Sequence, residues 1–142
     1  MIKKLLIVLP FLFFTIAVKA QETTQSQEDQ AAMYVDQGNA KANGGDWSGA
    51  YTSYNSALAL DPKNATAYYR RAVARQNLKD YRGAIVDYTK AIYLNNSDGD
   101  SYYGRGICFY TIGSKDKSCM DLTRALELGN GDASQAIQNY CN

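Results

Sequence analysis

Histidine is absent from this chain of 142 residues, so the commonest general base and metal ligand of proteins is missing. The three cysteines, Cys108, Cys119 and Cys141, form no CxxC pair, and their spacing therefore does not indicate a zinc site. No glycine-rich segment is followed by the Lys-Ser or Lys-Thr pair of a phosphate-binding loop. The sequence therefore predicts a protein without enzymatic activity and without a metal or cofactor.

Long apolar runs are also scarce, and the single one extends from Leu5 to Val18, behind two lysines. It ends in Val18-Lys19-Ala20, whose first and third side chains suit the pocket of signal peptidase. The run is shorter than the ~20 residues that span a bilayer, and Pro10 interrupts it. We therefore predict a signal peptide over residues 1–20 and export to the periplasm or the medium. No later segment is apolar enough to span a membrane.

Basic charge is not in surplus once the signal peptide is removed. The remaining 122 of the 142 residues have the size of one domain. Three of the 15 basic residues leave with residues 1–20, so 12 basic residues face 14 acidic ones and the net charge is −2. Nucleic acid is therefore not the expected partner, because phosphate binding draws on clustered basic side chains. Residues 21–30 (QETTQSQEDQ) contain no large apolar side chain and are predicted to form a flexible leader.

The chain does contain a 34-residue period. The same residue types recur at this spacing in four registers: Tyr34, Tyr68 and Tyr102; Ala50, Ala84 and Ser118; Ala57, Ala91 and Ala125; Leu60, Leu94 and Leu128. A period of this length is typical of stacked helix-turn-helix units, each of which buries its apolar face only against its neighbours. The tyrosine stripe is expected to fill the core rather than to bind a cofactor.

Apolar residues at helical spacing begin at Ala31, and a short polar turn divides each unit into two antiparallel helices. The predicted units are residues 31–64, 65–98 and 99–132. First helices are predicted near 31–43, 65–78 and 99–112, and second helices near 47–60, 81–94 and 115–128. Apolar residues of the C-terminal segment share one face of a helix, so residues 133–141 are predicted to cap the end of the stack.

Two segments show what family these units resemble. Tyr68-Tyr69-Arg70-Arg71-Ala72 precedes Asp80-Tyr81-Arg82-Gly83-Ala84-Ile85, and Tyr102-Tyr103-Gly104-Arg105-Gly106 repeats the first of them. The units resemble tetratricopeptide repeats over residues 31–132. This resemblance implies an all-α fold, in which antiparallel helix pairs form a right-handed superhelical stack over residues 31–142.

Arginine and aspartate appear together in the second and third units, at registers where the first unit has Gln37 and Ser53. Charges that appear and vanish together indicate a contact. We predict two structural ion pairs between the helices of a unit: Arg71 with Asp87, and Arg105 with Asp121.

The three cysteines allow three pairings. Cys119 and Cys141 are equally distant from the Gly129-Asn130-Gly131 turn, so an antiparallel capping helix brings their sulfurs level. Some exported tetratricopeptide proteins are similar at this end, and export permits oxidation. Cys108 is level with Cys119 across the turn of the third unit, but its place inside a first helix suits a small buried residue. We predict the pair Cys119–Cys141, with Cys108–Cys119 as the alternative.

The resemblance also implies a binding surface, because the first helices of this family line the concave face. The implied contacts are Val35, Asn39, Tyr69, Val73, Gln76, Asn77, Tyr103, Ile107, Tyr110 and Thr111. Aromatic side chains are typical binding anchors, so we expect an extended peptide along Tyr69, Tyr103 and Tyr110. The charged clamp of the family's chaperone-tail binders is matched only by Asn39.

Three classes of function follow from these features. We predict an exported, non-enzymatic scaffold that binds a protein or an extended peptide on its concave face. The alternative is an envelope structural or self-associating protein, such as a homodimer, whose aromatic face packs on another copy or on its own leader. An enzyme is the third class, and it is disfavoured because no nucleophile and base are paired in the sequence.

Overall fold

A computed structural model describes residues 5–141, together with the side chains of residues 17–19 and 21–141. Seven helices follow one another along the chain: α1 (Leu5–Asn43), α2 (Trp47–Leu60), α3 (Ala65–Asn77), α4 (Tyr81–Leu94), α5 (Gly99–Thr111), α6 (Lys115–Glu127) and α7 (Asp132–Tyr140). No strand occurs among the described residues, and the predicted all-α class is confirmed. The bounds of α2 and α4 are those predicted, and α3, α5 and α6 are each one residue shorter.

Local caps explain why the helices begin where they do. Asp46 accepts the backbone N–H of Gly49 at 2.8 Å, and Asp80 accepts that of Gly83 at 2.9 Å. Asn64 does the same for the third helix, in a bond of 2.9 Å to the N–H of Ala67. Each carbonyl or carboxylate oxygen satisfies a backbone donor that has no partner in the first turn of a helix.

The N-terminal part of α1 differs from the flexible leader expected over residues 21–30. These residues are helical, and all their side chains are exposed. The segment lacks glycine and proline, and Gln25 donates to Asp29 one turn later at 3.1 Å. Residues 1–4 of the predicted signal peptide lie outside the described residues, and its cleavage stays a prediction. Within residues 5–141 no helix combines the length and the apolarity needed to cross a membrane.

The helices form a curved stack of antiparallel pairs. Each first helix packs on the second helix of its own unit, and α3, α5 and α7 also pack on the preceding second helix. The first helices α1, α3 and α5 touch one another in sequence, and α7 continues this row. The second helices α2, α4 and α6 make no contact with one another within residues 5–141. The first helices therefore line the inner side of the curve.

Tyr34 shows how position in the stack decides burial. Its equivalent Tyr68 packs against the core around Ala57 and Leu58 of α2. No second helix precedes α1, and Tyr34 therefore remains 39% exposed rather than filling the core as expected. The core itself is built from buried alanines and from the rings of Tyr54 and Tyr88.

Both predicted ion pairs are present. Arg71 donates to both carboxylate oxygens of Asp87, at 2.9 and 2.7 Å. Arg105 binds Asp121 in the same way, at 2.7 and 2.8 Å. In the first unit Ser53 stands in the place of the carboxylate: its hydroxyl donates to Gln37 at 3.2 Å and accepts a hydrogen bond from Nζ of Lys41 at 3.1 Å.

Arg75 adds a second cation that the comparison of units did not reveal. Its Nη1 lies 3.2 Å from Oδ2 of Asp87. Its Nη2 donates to the hydroxyl of Tyr51 at 3.3 Å, and this bond lowers the pKa of Tyr51. The other units have Lys41 and Phe109 at this register, so the sequence shows no recurring pair.

The predicted disulfide joins Cys119 and Cys141, whose Cα atoms are 5.7 Å apart. It links α6 to the end of α7. Cys108 is a buried thiol, so the alternative pairing with Cys119 is not formed. Burial raises the pKa of Cys108 to about 12, because the low-polarity core disfavours the thiolate.

Candidate functional site

Nine of the ten residues that the family resemblance implied are at least partly exposed on the first helices, and the tenth, Val35, is buried. They lie on α1, α3 and α5, and most of them recur at matching registers of successive first helices. Because these helices touch one another in sequence, the residues form rows across the inner face. The structure therefore brings the predicted residues to one side of the molecule, although their exposure differs.

Val35 is the clearest correction within this set. Only 8% of its surface is exposed, and it belongs to the core cluster with Ala50, Tyr54 and Ala57. The second helix α2 covers it, so Val35 stabilises the first unit and is not accessible to a ligand.

Tyr69 is a half-buried aromatic residue near the middle of the inner face. Its ring centroid lies 5.9 Å from that of Tyr88, at a tilt of 58°. The guanidinium carbon of Arg70 lies 5.7 Å from the same ring. Burial raises the pKa of Tyr69, and the nearby carboxylate of Asp100 raises it further. One edge of the ring can therefore contact an apolar group while charges of both signs flank it.

Tyr103 occupies the equivalent position on the next first helix. It is also half-buried, and burial raises its pKa. The carboxylate of Asp132 and the hydroxyl of Tyr140, both on α7, raise the pKa further. The surroundings of Tyr103 thus include the C-terminal helix, which the sequence analysis treated only as a cap.

Two predicted polar residues hold buried tyrosines in place. Asn39 accepts a hydrogen bond from the hydroxyl of Tyr54 at 2.9 Å. Gln76 accepts one from the hydroxyl of Tyr88 at 3.0 Å. In both amides the oxygen is engaged, whereas the nitrogen makes no hydrogen bond to any described residue. These NH₂ groups are donors for a peptide carbonyl.

Asn77 and Thr111 are exposed and bond to their own helices. The amide of Asn77 donates to the carbonyl of Val73, and the hydroxyl of Thr111 donates to that of Ile107, both at 2.9 Å. Val73 and Ile107 are half-buried between these polar residues. A ligand in this row would meet aliphatic surface with a polar margin.

Tyr110 is partly covered by Tyr140, which was not among the predicted binding residues. Its ring stacks on that of Tyr140, with centroids 4.0 Å apart and planes inclined by 21°. Tyr110 remains 42% exposed, so the pair forms a continuous aromatic surface on α5 and α7. The signal for Tyr140 was its place in the apolar face of the capping helix.

A depression of about 300 Å³ lies at the other end of the inner face, between α1 and α3. Its walls are formed by Asn39, Ala42, Asn43, Trp47, Tyr54, Arg70 and Val73. Only Asn39 and Val73 were among the predicted binding residues, whereas Ala42, Asn43, Trp47, Tyr54 and Arg70 were not. Asn43 follows Asn39 by one helical turn, and that spacing was the available signal.

Potential metal ligands are not grouped in the part of the chain that the structure describes. No three side chains of cysteine, aspartate or glutamate there come together in a group suited to a metal ion.

Comparisons with known proteins agree with the architecture. A family model described as "TPR repeat" matches residues 38–79, and one described as "Tetratricopeptide repeat" matches residues 65–98. The second range coincides with the second predicted unit. A comparison with curated proteins gave no match.

Several solved structures are similar to this chain. The TPR domain of Arabidopsis OM64 is 28% identical, with a TM-score of 0.79 over 80% of this chain and 96% of that one. The first TPR of Spaghetti (RPAP3), bound to the HSP90 peptide SRMEEVD, is 26% identical, with a TM-score of 0.78 over 80% and 92%. The second TPR domain of human RPAP3, in complex with the HSP70 peptide SGPTIEEVD, is 26% identical, with a TM-score of 0.75 over 84% and 98%. With its 34-residue lattice, its stacked helix pairs and these matches, the chain is a tetratricopeptide repeat protein.

Proposed function

We propose that this chain is an exported, non-enzymatic scaffold that binds an extended peptide on its inner face. The observation that carries the proposal is the pair of half-buried rings, Tyr69 and Tyr103, at matching positions of successive first helices. Aromatic rings supply large contact area at a low cost in side-chain entropy. The peptide complexes of the RPAP3 domains support the same class of ligand.

The dimensions of the face suit an extended segment. Packed helix axes lie about 10 Å apart, and an extended peptide advances about 3.3 Å per residue. A peptide that crosses α1, α3 and α5 therefore needs about six residues. The amide nitrogens of Asn39 and Gln76 supply donors for its backbone carbonyls along the way.

An acidic C-terminal tail like those of the RPAP3 complexes is not the ligand that we propose. Asp100 stands near Tyr69, and one of its oxygens already accepts a hydrogen bond of 2.7 Å from Asn130. Gly104 cannot be replaced by a basic residue without displacing Tyr88, because even a Cβ there would lie 2.4 Å from the Tyr88 ring. Arg70 also lies beside Tyr69, but burial and two carboxylates, Asp100 and Asp98, raise the pKa of Tyr69 against the lowering by Arg70. The surface around Tyr69 therefore favours an apolar peptide over one that ends in several carboxylates.

The proposal is tested with a peptide of about nine residues, a length that would also reach α7. The peptide is selected by phage display against the purified, oxidised protein and labelled for fluorescence anisotropy. We expect the double variant Tyr69→Ala/Tyr103→Ala to weaken its binding by about tenfold or more. The matched control is Tyr93→Ala on the outer surface of α4, where the ring is 80% exposed. Equal binding by the double variant and the wild type would refute the proposal.

Self-association is the second candidate, and one observation favours it. Met33 and Tyr34 are exposed at the open end of the stack, where they line a depression of about 480 Å³ together with Gln30 and Gln37. A second copy could cover this end of the stack. The leader does not cover the inner face, because residues 21–30 continue α1 with every side chain exposed. Sedimentation velocity over a range of concentrations distinguishes a dimer from a monomer.

Export is tested separately from binding. We expect the mature protein to begin at Gln21, because the predicted cleavage follows Ala20. Intact-mass measurement of protein from the extracytoplasmic fraction checks this, and a mass that retains residues 1–20 would contradict cleavage.

A further inference from the structure

The C-terminal helix α7 occupies the place of a fourth first helix. Residues 132–140 follow residues 98–106, which are the N-cap and the first eight residues of α5, by 34 positions. Helix α7 packs on α6 and touches α5, just as α5 packs on α4 and touches α3. The inner row therefore contains four helices rather than three.

Two registers of this helix exchange large and small residues. Where the earlier units have Tyr34, Tyr68 and Tyr102, α7 has Ala136. Where they have Gly38, Ala72 and Gly106, α7 has Tyr140. The buried Ala136 lets α7 sit close to α6.

The small residues of the second register serve contacts with a second helix. A Cβ on Gly38 would lie 2.4 Å from the ring of Tyr54, a residue of α2. Among residues 5–141 no second helix follows α7, and the large side chain of Tyr140 lies on Tyr110. The exchange of large and small residues at these two registers therefore adds the ring of Tyr140 to the inner side of the stack.

Two further residues of α7 continue the inner rows. Ile137 is half-buried and stands in register with Tyr69 and Tyr103. Cys141 stands in register with Val73 and Ile107, and its disulfide to Cys119 fixes the end of α7 on α6. A helix of nine residues is not stable by itself in water, so its position depends on these tertiary contacts and on the disulfide.

We propose that α7 is the fourth wall of the peptide groove, where Ile137 and Tyr140 contact the ligand and the Cys119–Cys141 bond keeps them in place. This inference rests on the proposed function. The occupant is an extended peptide whose segment over α7 is apolar, and that segment adds about three residues to the six that cross α1, α3 and α5.

The disulfide makes this part of the groove sensitive to a dithiol reductant. The S–S bond accepts two electrons and two protons to give two thiols, and the dithiol is oxidised to its own disulfide. The end of α7 is then no longer tied to α6. We expect reduced protein to bind the peptide more weakly, although Tyr69 and Tyr103 are unchanged.

The test uses the selected peptide of about nine residues together with versions shortened by about three residues at either end. Ile137→Ser should weaken binding of the full peptide by about fivefold or more. It should have no effect on the version that lacks the residues over α7, because that version never reaches the substituted side chain. Met120→Ser on the exposed surface of α6 is the matched control and should bind both versions as the wild type does.

A second pair of measurements separates contact from folding. Hydrogen exchange should show α7 still protected in Ile137→Ser, and less protected in Cys119→Ser/Cys141→Ser or after treatment with dithiothreitol. Both disulfide-free forms should bind the full peptide more weakly than the wild type does, and they should bind the version that lacks the residues over α7 as the wild type does. If Ile137→Ser and the disulfide-free forms bind the full peptide like the wild type while Tyr69→Ala/Tyr103→Ala does not, the fourth wall is refuted and the proposed function stands. If Tyr69→Ala/Tyr103→Ala also binds normally, the groove itself is refuted.

Discussion

Arg71 holds Asp87 with two hydrogen bonds, 2.9 Å from Nε to Oδ2 and 2.7 Å from Nη2 to Oδ1. The remaining nitrogen, Nη1, donates to Asn55 of the preceding unit at 2.7 Å. In the third unit Arg105 repeats this arrangement, with Thr89 in the place of Asn55. One guanidinium therefore joins three helices, and the contact links neighbouring units as well as the two helices of one unit.

Replacing Asp87 with alanine should destabilise the protein. Asp87 is 1% exposed and faces both Arg71 and Arg75. Its removal leaves the partly buried Arg71 without a carboxylate and leaves Arg75 with only the exposed Asp80, whose Oδ2 lies 3.7 Å from Nε of Arg75. We expect a loss of about 2 kcal/mol in the free energy of unfolding, below the range for fully buried pairs because the arginines retain some exposure to water. Urea denaturation followed by circular dichroism measures it. Glu127→Ala, which breaks an exposed pair with Arg124, is the control and should have little effect. A loss no larger than that of the control would contradict the structural role of the pair.

Gly104 should not tolerate even a methyl group. A Cβ at this position would lie 2.4 Å from the ring of Tyr88, which is itself buried and bonded to Gln76. We expect Gly104→Ala to cost about 1–3 kcal/mol through overpacking, despite the better helix propensity of alanine. Thermal unfolding provides the measurement. Gly131→Ala is the control and should leave the stability unchanged, because the space around the added carbon is open. Equal stability of Gly104→Ala and Gly131→Ala would show that the Tyr88 ring moves aside freely.

Lys79 occupies a turn position that favours glycine. Its φ is 67°, and the equivalent residues Gly45 and Gly113 have φ values of 82° and 84°. A side chain in this left-handed region is strained, so Lys79→Gly should stabilise the protein by about 1 kcal/mol. The reciprocal change, Gly113→Ala, should destabilise it by a similar amount. Chemical denaturation of both variants tests the pair, and a destabilising Lys79→Gly would rule out strain at this turn.

Cys108 should be unreactive in the folded protein. Burial raises the pKa of this thiol to about 12, so almost no thiolate exists near pH 8. A thiol reagent should modify it only after denaturation, and mass spectrometry should locate the label on Cys108 alone in the oxidised protein. Fast modification of folded protein at pH 8 would show that the site opens readily.

The same raised pKa predicts a dependence of stability on pH. Between the ordinary thiol pKa near 8.5 and about 12, the unfolded chain loses the Cys108 proton while the folded chain keeps it. The contribution of this thiol to stability is therefore complete below about pH 8.5 and is lost as pH rises through that window. Comparison with Cys108→Ala at several pH values isolates the contribution from those of the buried tyrosines.

Much of the fold was predictable because the signals are local or periodic. Asn64 and Asp98 precede helix starts in the sequence, and each caps its helix with its own side chain. The 34-residue period identified the units, and the joint appearance of Arg71 and Asp87 identified their contact. The equal distance of Cys119 and Cys141 from one turn favoured their pairing, and the structure has this disulfide rather than the alternative Cys108–Cys119.

The candidate site was less predictable, because exposure depends on which helix covers each side chain. Val35 and Tyr69 occupy the same register, yet Val35 is covered by α2 and Tyr69 is only half-buried. Tyr34 occupies the same repeat position as Tyr68, but within residues 5–141 no second helix precedes α1 to cover it. At the register of Arg75 the other units have Lys41, which donates to Ser53, and Phe109, so no recurring pair of charges pointed to the contacts of Arg75 with Asp87 and Tyr51.

The sequence by itself determined the all-α class, the bounds of α2 and α4 and both ion pairs, because each depends on spacing along the chain or on one recurring contact. It predicted the disulfide Cys119–Cys141 but left Cys108–Cys119 open. Only the tertiary structure decided that Val35 is buried, that Tyr140 stacks on Tyr110, and that α7 joins the inner row. Val35 is buried because α2, the second helix of its own unit, covers it. The stacking of Tyr140 and the place of α7 depend on the end of the stack, where residues pack differently from their equivalents in the middle.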